Sequence, residues 1–151
     1  MISKSARRQI APAARRGLAL AGVAAFCFPP FLLLRAQSSP RVIEVVADRD
    51  SRYKIAGQKQ PVITVRASEG LTLRITANKA KNHNRDGSVH GFMLLRAKDR
   101  KPVDGWDLLL KPGRQEFTLT APSEAGDYVV ICTVICSSDH EQMNMKFLVE
   151  P

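Results

Sequence analysis

Acidic residues are missing from the first 36 positions of this 151-residue chain, and that absence governs how its charge is read. The formal charge is +9, which on its own would suggest a nucleic-acid partner. Six of the 23 bases (Lys4, Arg7, Arg8, Arg15, Arg16 and Arg35) fall in the acid-free stretch, so the rest of the chain carries 17 bases against all 14 acids. That remainder mixes the signs and lacks the clustered Lys and Arg of a duplex-binding face, so it argues against nucleic acid as a partner. Internal repeats are also absent, and no segment reads as a convincing amphipathic helix. At 44% hydrophobic and 25% charged residues, the composition is that of one ordinary globular domain plus an N-terminal extension.

The extension reads as a targeting or anchoring segment, residues 1–36. Five positive charges precede an uncharged apolar run from Gly17 to Leu34, "GLALAGVAAFCFPPFLLL", whose 18 residues reach the lower end of the roughly 17 to 25 needed to span a bilayer. One N-terminal hydrophobic helix is therefore expected, with its positive flank in the cytoplasm and the following domain on the extracytoplasmic side. A cut after Ala36 would leave Leu34 and Ala36 at the recognition positions, a poor small-x-small match, which favours a retained anchor. Pro29-Pro30 would kink such a helix, which favours a cleaved signal. The paired arginines of "AARRGLAL" weakly resemble a twin-arginine export signal.

Residues 37–41, "QSSPR", form a short polar linker to a domain spanning 42–151. Its apolar residues recur with period 2. In "LTLRITA", Leu71, Leu73 and Ile75 alternate with Thr72, Arg74 and Thr76, and "EFTLT" and "NMKFLV" behave alike. Further strands are expected at Val42 to Ala47, Pro61 to Ala67, Val89 to Leu95 and Asp127 to Cys132, separated by turn formers such as Glu69-Gly70 and Lys111-Pro112-Gly113. About seven short strands without a helix predict an all-β Greek-key sandwich or barrel. A polar insertion, "NKAKNHNRDGS", runs from Asn78 to Ser88.

Chemistry concentrates in "CTVICSSDHEQM", which sets Cys132, Cys136, His140 and Met143 at spacings of four, four and three where a strand ends. A helix would gather these positions on one face, but Ser137-Ser138-Asp139 is a poor helix interior, so a loop is expected. A further ligand must come from elsewhere in the chain. His90, at the start of a strand in "SVHGF", is the candidate. Simpler readings exist for each residue. The two cysteines of an exported protein could form a disulfide. A zinc ion held by His90, Cys132, Cys136 and His140 has acceptable chemistry but leaves Met143 unexplained. Met143 alone suits a core, His83 reads as a solvated loop residue, and Cys27 lies inert in the leader. Copper accounts for His90, Cys132, Cys136, His140 and Met143 together, because thiolate and thioether ligands favour it and imidazole suits it.

These residues resemble the CuA domain of cytochrome c oxidase subunit II, of the cupredoxin superfamily. The family's upstream H-x-F is matched by His90-Gly91-Phe92, and its C-x-x-x-C-x-x-x-H-x-x-M by Cys132 to Met143. The likeness covers about Ser88 to Pro151, and the earlier part of the domain only in strand pattern. It implies a cupredoxin-like sandwich holding a binuclear copper centre. Cys132 and Cys136 would bridge both ions, and His90 and His140 would each hold one. Met143 and the backbone carbonyl of Val134 would be weak axial ligands. Implied with this are single-electron relay, a terminal oxidase catalytic subunit and a cytochrome c or other haem donor as partners, and an inner-membrane anchor with the domain facing the periplasm. An exported copper-binding cupredoxin that stores or delivers the metal is the alternative.

Departures from the family pattern accompany the matches. Val134 stands where the family often has a Glu whose carboxylate reaches an interfacial magnesium ion, and Ser137 replaces a usual Gly. No counterpart of the family's electron-receiving aromatic cluster is evident, since only Tyr53 precedes His90 in the domain and Trp106 follows it. Lys79, Lys81 and Arg85, opposed by Asp86 alone, lead towards His90 and predict an acidic or neutral donor, or a haem domain held in the same complex.

Overall fold

A computed structural model describes residues 40–151. The leader and its expected hydrophobic helix, with Cys27, lie outside the described residues. Within them, no helix is long and apolar enough to cross a membrane.

The period-2 segments form strands, and the alternation appears directly as burial. β4 (Gly70–Ala77) turns Leu71, Leu73, Ile75 and Ala77 inward and leaves Thr72, Arg74 and Thr76 half-exposed. β1 (Arg41–Asp48) does the same with Ile43, Val45 and Ala47, and runs parallel to β4 from Arg41↔Leu71 to Ala47↔Ala77. A three-residue β2 (Arg52–Lys54) pairs antiparallel with β1, and β7 (Gly113–Thr120) with β4, giving a four-stranded sheet ordered β2-β1-β4-β7. The second sheet, ordered β3-β9-β8-β5-β6, comprises β3 (Val62–Arg66), β5 (His90–Arg96), β6 (Pro102–Leu110), β8 (Gly126–Ile131) and β9 (Asn144–Glu150). β3 joins β9 in parallel, while the other pairs of this sheet are antiparallel.

The all-β sandwich predicted from the sequence is thus observed, with nine strands rather than about seven. β2 and β6 are the additions. In β6, Trp106, Leu108 and Leu110 are buried in alternation, but Leu109 between them is exposed and Gly105 takes a φ of 76°, so the apolar pattern is blurred in sequence. The β5–β6 register also shifts between Met93 and Leu95, which marks an irregularity at the same place.

The two sheets enclose one core. Trp106 meets Phe147 edge-on with ring centroids 5.1 Å apart, and its indole N–H donates to the Thr120 carbonyl at 3.0 Å, tying the second sheet to the end of β7. Each such fully buried side chain contributes about 1.5–3 kcal/mol through removal of apolar surface from water. This rigid interior carries, at one end of the sandwich, the loop between β8 and β9 and the first residues of β5.

Candidate metal centre

Strand β8 ends at Ile131, and β9 does not begin until Asn144, so Cys132 to Met143 form a connection closed on itself by a Cys132 N–H to Met143 carbonyl bond of 3.1 Å. As expected, Ser137-Ser138-Asp139 is not helical. Only a short 3-10 turn, His140–Gln142, follows it, because the Ser137 hydroxyl accepts the Asp139 N–H at 3.0 Å and so competes with continued helix.

β5 lies beside β8 with Met93 opposite Ile131, so the start of β5 comes alongside the residues that continue β8. Gly91 donates its N–H to the Cys132 sulfur at 3.3 Å, and its carbonyl accepts the Tyr53 hydroxyl. The approach is so close that a Cβ on Gly91 would stand 2.1 Å from Thr133 Oγ1 and 2.6 Å from the Thr133 backbone nitrogen. Glycine at this position lets β5 reach the loop.

Donor atoms converge as a result. The ligand atoms of His90, Cys132 and Cys136 lie within 4.8 Å of one another, and all three residues are buried. The two sulfurs are 3.9 Å apart in free cysteines, so the disulfide reading is not realised. The Val134 carbonyl lies 3.3 Å from the Cys132 sulfur and accepts the Cys136 N–H at 2.7 Å, which turns that oxygen towards the thiols. Met143 is buried in the same core. His140 is half-buried, its Nδ1 faces the Ser137 carbonyl at 3.1 Å, and it is not among the three residues whose ligand atoms all lie within 4.8 Å of one another. His83 is exposed, as the sequence predicts.

His90 carries the most informative detail. Its Nε2 lies 3.2 Å from the Asn78 carbonyl, which can only accept, so Nε2 bears the proton. Nδ1 is then a bare lone pair, and it is the one buried side-chain nitrogen or oxygen among the described residues with no hydrogen-bond partner. An unpaired buried polar atom is costly unless something is meant to meet it. Burial holds the His90 imidazole below its ordinary pKa, outweighing the raising influence of the Asn78 carbonyl and of Asp48. The ring is therefore neutral at pH 7, the form that binds metal.

Burial likewise pushes the Cys132 thiol up to about 11, against the lowering effect of the Gly91 N–H and of the hydrogen bond with Val134, with Cys136 reinforcing the rise. A metal ion binding here would have to displace that proton. A thiolate–metal bond of about 2.3 Å lets one ion reach two sulfurs up to about 4.6 Å apart, so the observed pair is close enough to share ions. The donor set fits a soft, thiophilic metal.

Sequence reasoning missed three supporting residues. Ser51, buried in the turn before β2, places its hydroxyl 3.8 Å from the Cys136 sulfur and 2.6 Å from the Ser137 hydroxyl. Tyr53 packs edge-on against Phe92 at 5.4 Å, and burial followed by the two nearby cysteines keeps its phenol well above the ordinary range, hence a donor. Asn78, first residue of the polar insertion, supplies the carbonyl that sets the His90 tautomer. A faint alternation in "SRYKI" was the only signal for β2.

No family model matches the chain, and no curated protein does. Solved structures are similar in shape. A heme-copper terminal oxidase dimer superposes with a TM-score of 0.50 at 14% identity, over 76% of this chain and 68% of that one. Auracyanin A, a "blue" copper protein from the green thermophilic photosynthetic bacterium Chloroflexus aurantiacus, gives 0.51 at 23% identity, over 74% of this chain and 100% of that one. At these identities the likeness establishes the fold, which is that of the cupredoxins.

Proposed function

We propose that this domain is an electron-transfer module whose loop-end cluster holds two copper ions, in the manner of the CuA domain of oxidase subunit II. The observation that carries the reading is the convergence of two buried thiols 3.9 Å apart with the bare Nδ1 of His90. Soft sulfur donors with imidazole select copper. Two thiols close enough to share ions support a pair of coppers, where a single cysteine would suit a one-copper site. Copper so bound supplies reversible one-electron exchange. Cys132 and Cys136 would hold the copper through both sulfurs, His90 through Nδ1, and the Val134 carbonyl, already turned to the sulfurs, would be a further donor.

His140 and Met143 complete the proposed set. His140 would need to exchange its Ser137 carbonyl partner for the metal, a rotation within the exposed end of the loop. Met143, buried and sequestered from water, would be a weak thioether donor. The sandwich fixes the ends of the connection and so limits rearrangement on gain or loss of an electron. The basic, apolar leader supports an inner-membrane anchor through residues 17–34 with the domain in the periplasm, and the heme-copper terminal oxidase of similar fold supports association with a terminal oxidase subunit, with a haem protein as the donor on the family resemblance alone.

One observation favours a second reading. His90, Cys132 and Cys136 alone bring their ligand atoms within 4.8 Å of one another, a three-donor nest suited to a single cuprous ion held for storage or delivery. Copper titration of the full-length protein with metal analysis and EPR separates the two. Two coppers per chain sharing one unpaired electron support the relay, and a single EPR-silent cuprous ion per chain refutes it.

A further inference from the structure

Ser51 has no assigned part in the reading above, yet it touches the proposed centre. It closes a turn through its N–H to the Asp48 carbonyl at 3.1 Å and takes a φ of 59°, a left-handed conformation that costs a residue with a Cβ. Ser68 and Arg100 share that sign of φ in other turns, but Ser51 alone of the three is buried. Glycine would adopt this backbone without strain. Serine accepts the strain and places a hydroxyl at the sulfur of Cys136, 3.8 Å away.

Either hydroxyl can be the donor between Ser51 and Ser137, and a thiolate at Cys136 favours one of the two arrangements. The Asp139 N–H donates to Ser137 Oγ at 3.0 Å, and Ser137 and Ser51 hydroxyls lie 2.6 Å apart. Once Cys136 is a thiolate, as any metal ligand must be, it can only accept. With the Ser51 proton turned to the sulfur, Ser137 donates to Ser51, and the chain runs Asp139 N–H, Ser137 O–H, Ser51 O–H, Cys136 S⁻. Each link polarises the next in the same sense. A bond to a charged acceptor is also shorter than one to a neutral thiol, which draws the hydroxyl in from 3.8 Å.

We infer that Ser51, polarised by Ser137, is a positioning residue that donates a hydrogen bond to the Cys136 thiolate and thereby withdraws electron density from one of the two bridging sulfurs. This rests on the copper reading. A sulfur so engaged donates less to the metal, which favours the reduced state and raises the energy of sulfur-to-metal charge transfer. The two cysteines are then inequivalent, Cys132 receiving a backbone N–H from Gly91 and Cys136 a side-chain hydroxyl.

The test compares full-length protein with Ser51→Ala, Ser51→Gly and Ser137→Ala, each copper-loaded, for copper per chain, charge-transfer absorption and reduction potential. Both Ser51 variants keep the copper count, move the band to lower energy and lower the potential by similar amounts. Ser137→Ala shifts both in the same direction but less. Ser51→Gly, matched to the backbone, is in addition more stable than Ser51→Ala when metal-free. Unmoved band and potential in the Ser51 variants overturn the inference and leave the copper reading standing; shifts of opposite sign in Ala and Gly assign the effect to the backbone and overturn it as well. A wild-type count other than two refutes the binuclear reading instead. The band shift in cobalt(II)-loaded protein then decides the role of Ser51 independently of copper.

Discussion

Gly91 joins the fold to the proposed centre, and Gly91→Ala is the most stringent check on that junction. The added Cβ would lie 2.1 Å from Thr133 Oγ1, 2.6 Å from Thr133 N and 3.1 Å from Thr133 Cβ. The hydroxyl can rotate away, but the amide nitrogen is about 1 Å inside normal contact and moves only if the Cys132–Val134 backbone moves. Overpacking of this kind costs about 1–3 kcal/mol. Displacing Gly91 also strains its N–H bond to the Cys132 sulfur and its carbonyl bond from Tyr53, at about 1 kcal/mol each. The expected loss is about 3–5 kcal/mol, a fall in Tm of more than about 10 °C for a domain of this size. Thermal and urea unfolding of the metal-free full-length protein measure it. Thr133→Ala in the same background removes the hydroxyl clash and leaves the one with the amide, so it recovers less than half of the loss. Gly70→Ala, where a Cβ meets nothing within 4 Å, is the control and is neutral or slightly stabilising. A Gly91→Ala protein within about 0.5 kcal/mol of wild type, or full rescue by Thr133→Ala, refutes the argument that backbone approach requires glycine here.

Cys132→Ser or Cys136→Ser abolishes the proposed two-copper centre, because a hydroxyl cannot replace a thiolate ligand at neutral pH; metal analysis and EPR detect the loss, and a retained delocalised signal contradicts the proposal. Met143→Leu keeps both coppers and shifts the reduction potential, as befits a weak axial donor, whereas loss of all copper in a titration is incompatible with that role. Asp48 is held well below the usual carboxylate range, first by the Lys54 ammonium, then by the Asn78 amide and the Arg49 N–H, so its contribution is full above the unfolded value of about 3.9, begins to fade there and is lost as pH falls on through the lower folded value. Urea midpoints of the metal-free protein therefore fall between about pH 5 and pH 3, and less steeply in Asp48→Asn, an equal slope excluding the assignment. Lys79, Lys81 and Arg85 are exposed on the loop whose Asn82 N–H holds the Cys136 carbonyl at 3.0 Å, so stopped-flow reduction of the copper-loaded protein is faster with an acidic than a basic cytochrome and is slowed by salt; faster reduction by the basic one refutes steering by this loop.

Legibility in the sequence followed how local the determining physics was. β4 and β1 were plain because each has one face in the core, so alternation of Leu71, Leu73 and Ile75 with polar residues records the fold directly. β6 was obscured where Leu109 is exposed between buried Leu108 and Leu110, since an exposed leucine and a buried one are identical letters. At the centre, Cys132, Cys136 and His90 were identifiable from donor chemistry, and the structure brings their ligand atoms together. Their spacing is silent on which face of an imidazole points inward. His90 is set by the carbonyl of Asn78, twelve residues away, and His140 by the carbonyl of Ser137 in its own turn, so two histidines that read alike differ in their partners. Ser51 and Tyr53 arrive at the sulfurs only because the turn between β1 and β2 folds over the end of the sandwich, a consequence of pairing such as Ala47↔Tyr53 that no motif encodes. The ligands of such a centre are written in its loops, whereas the groups that set ligand orientation and basicity are written in the topology, and a hydroxyl such as that of Ser51 becomes visible only when the strands are laid side by side.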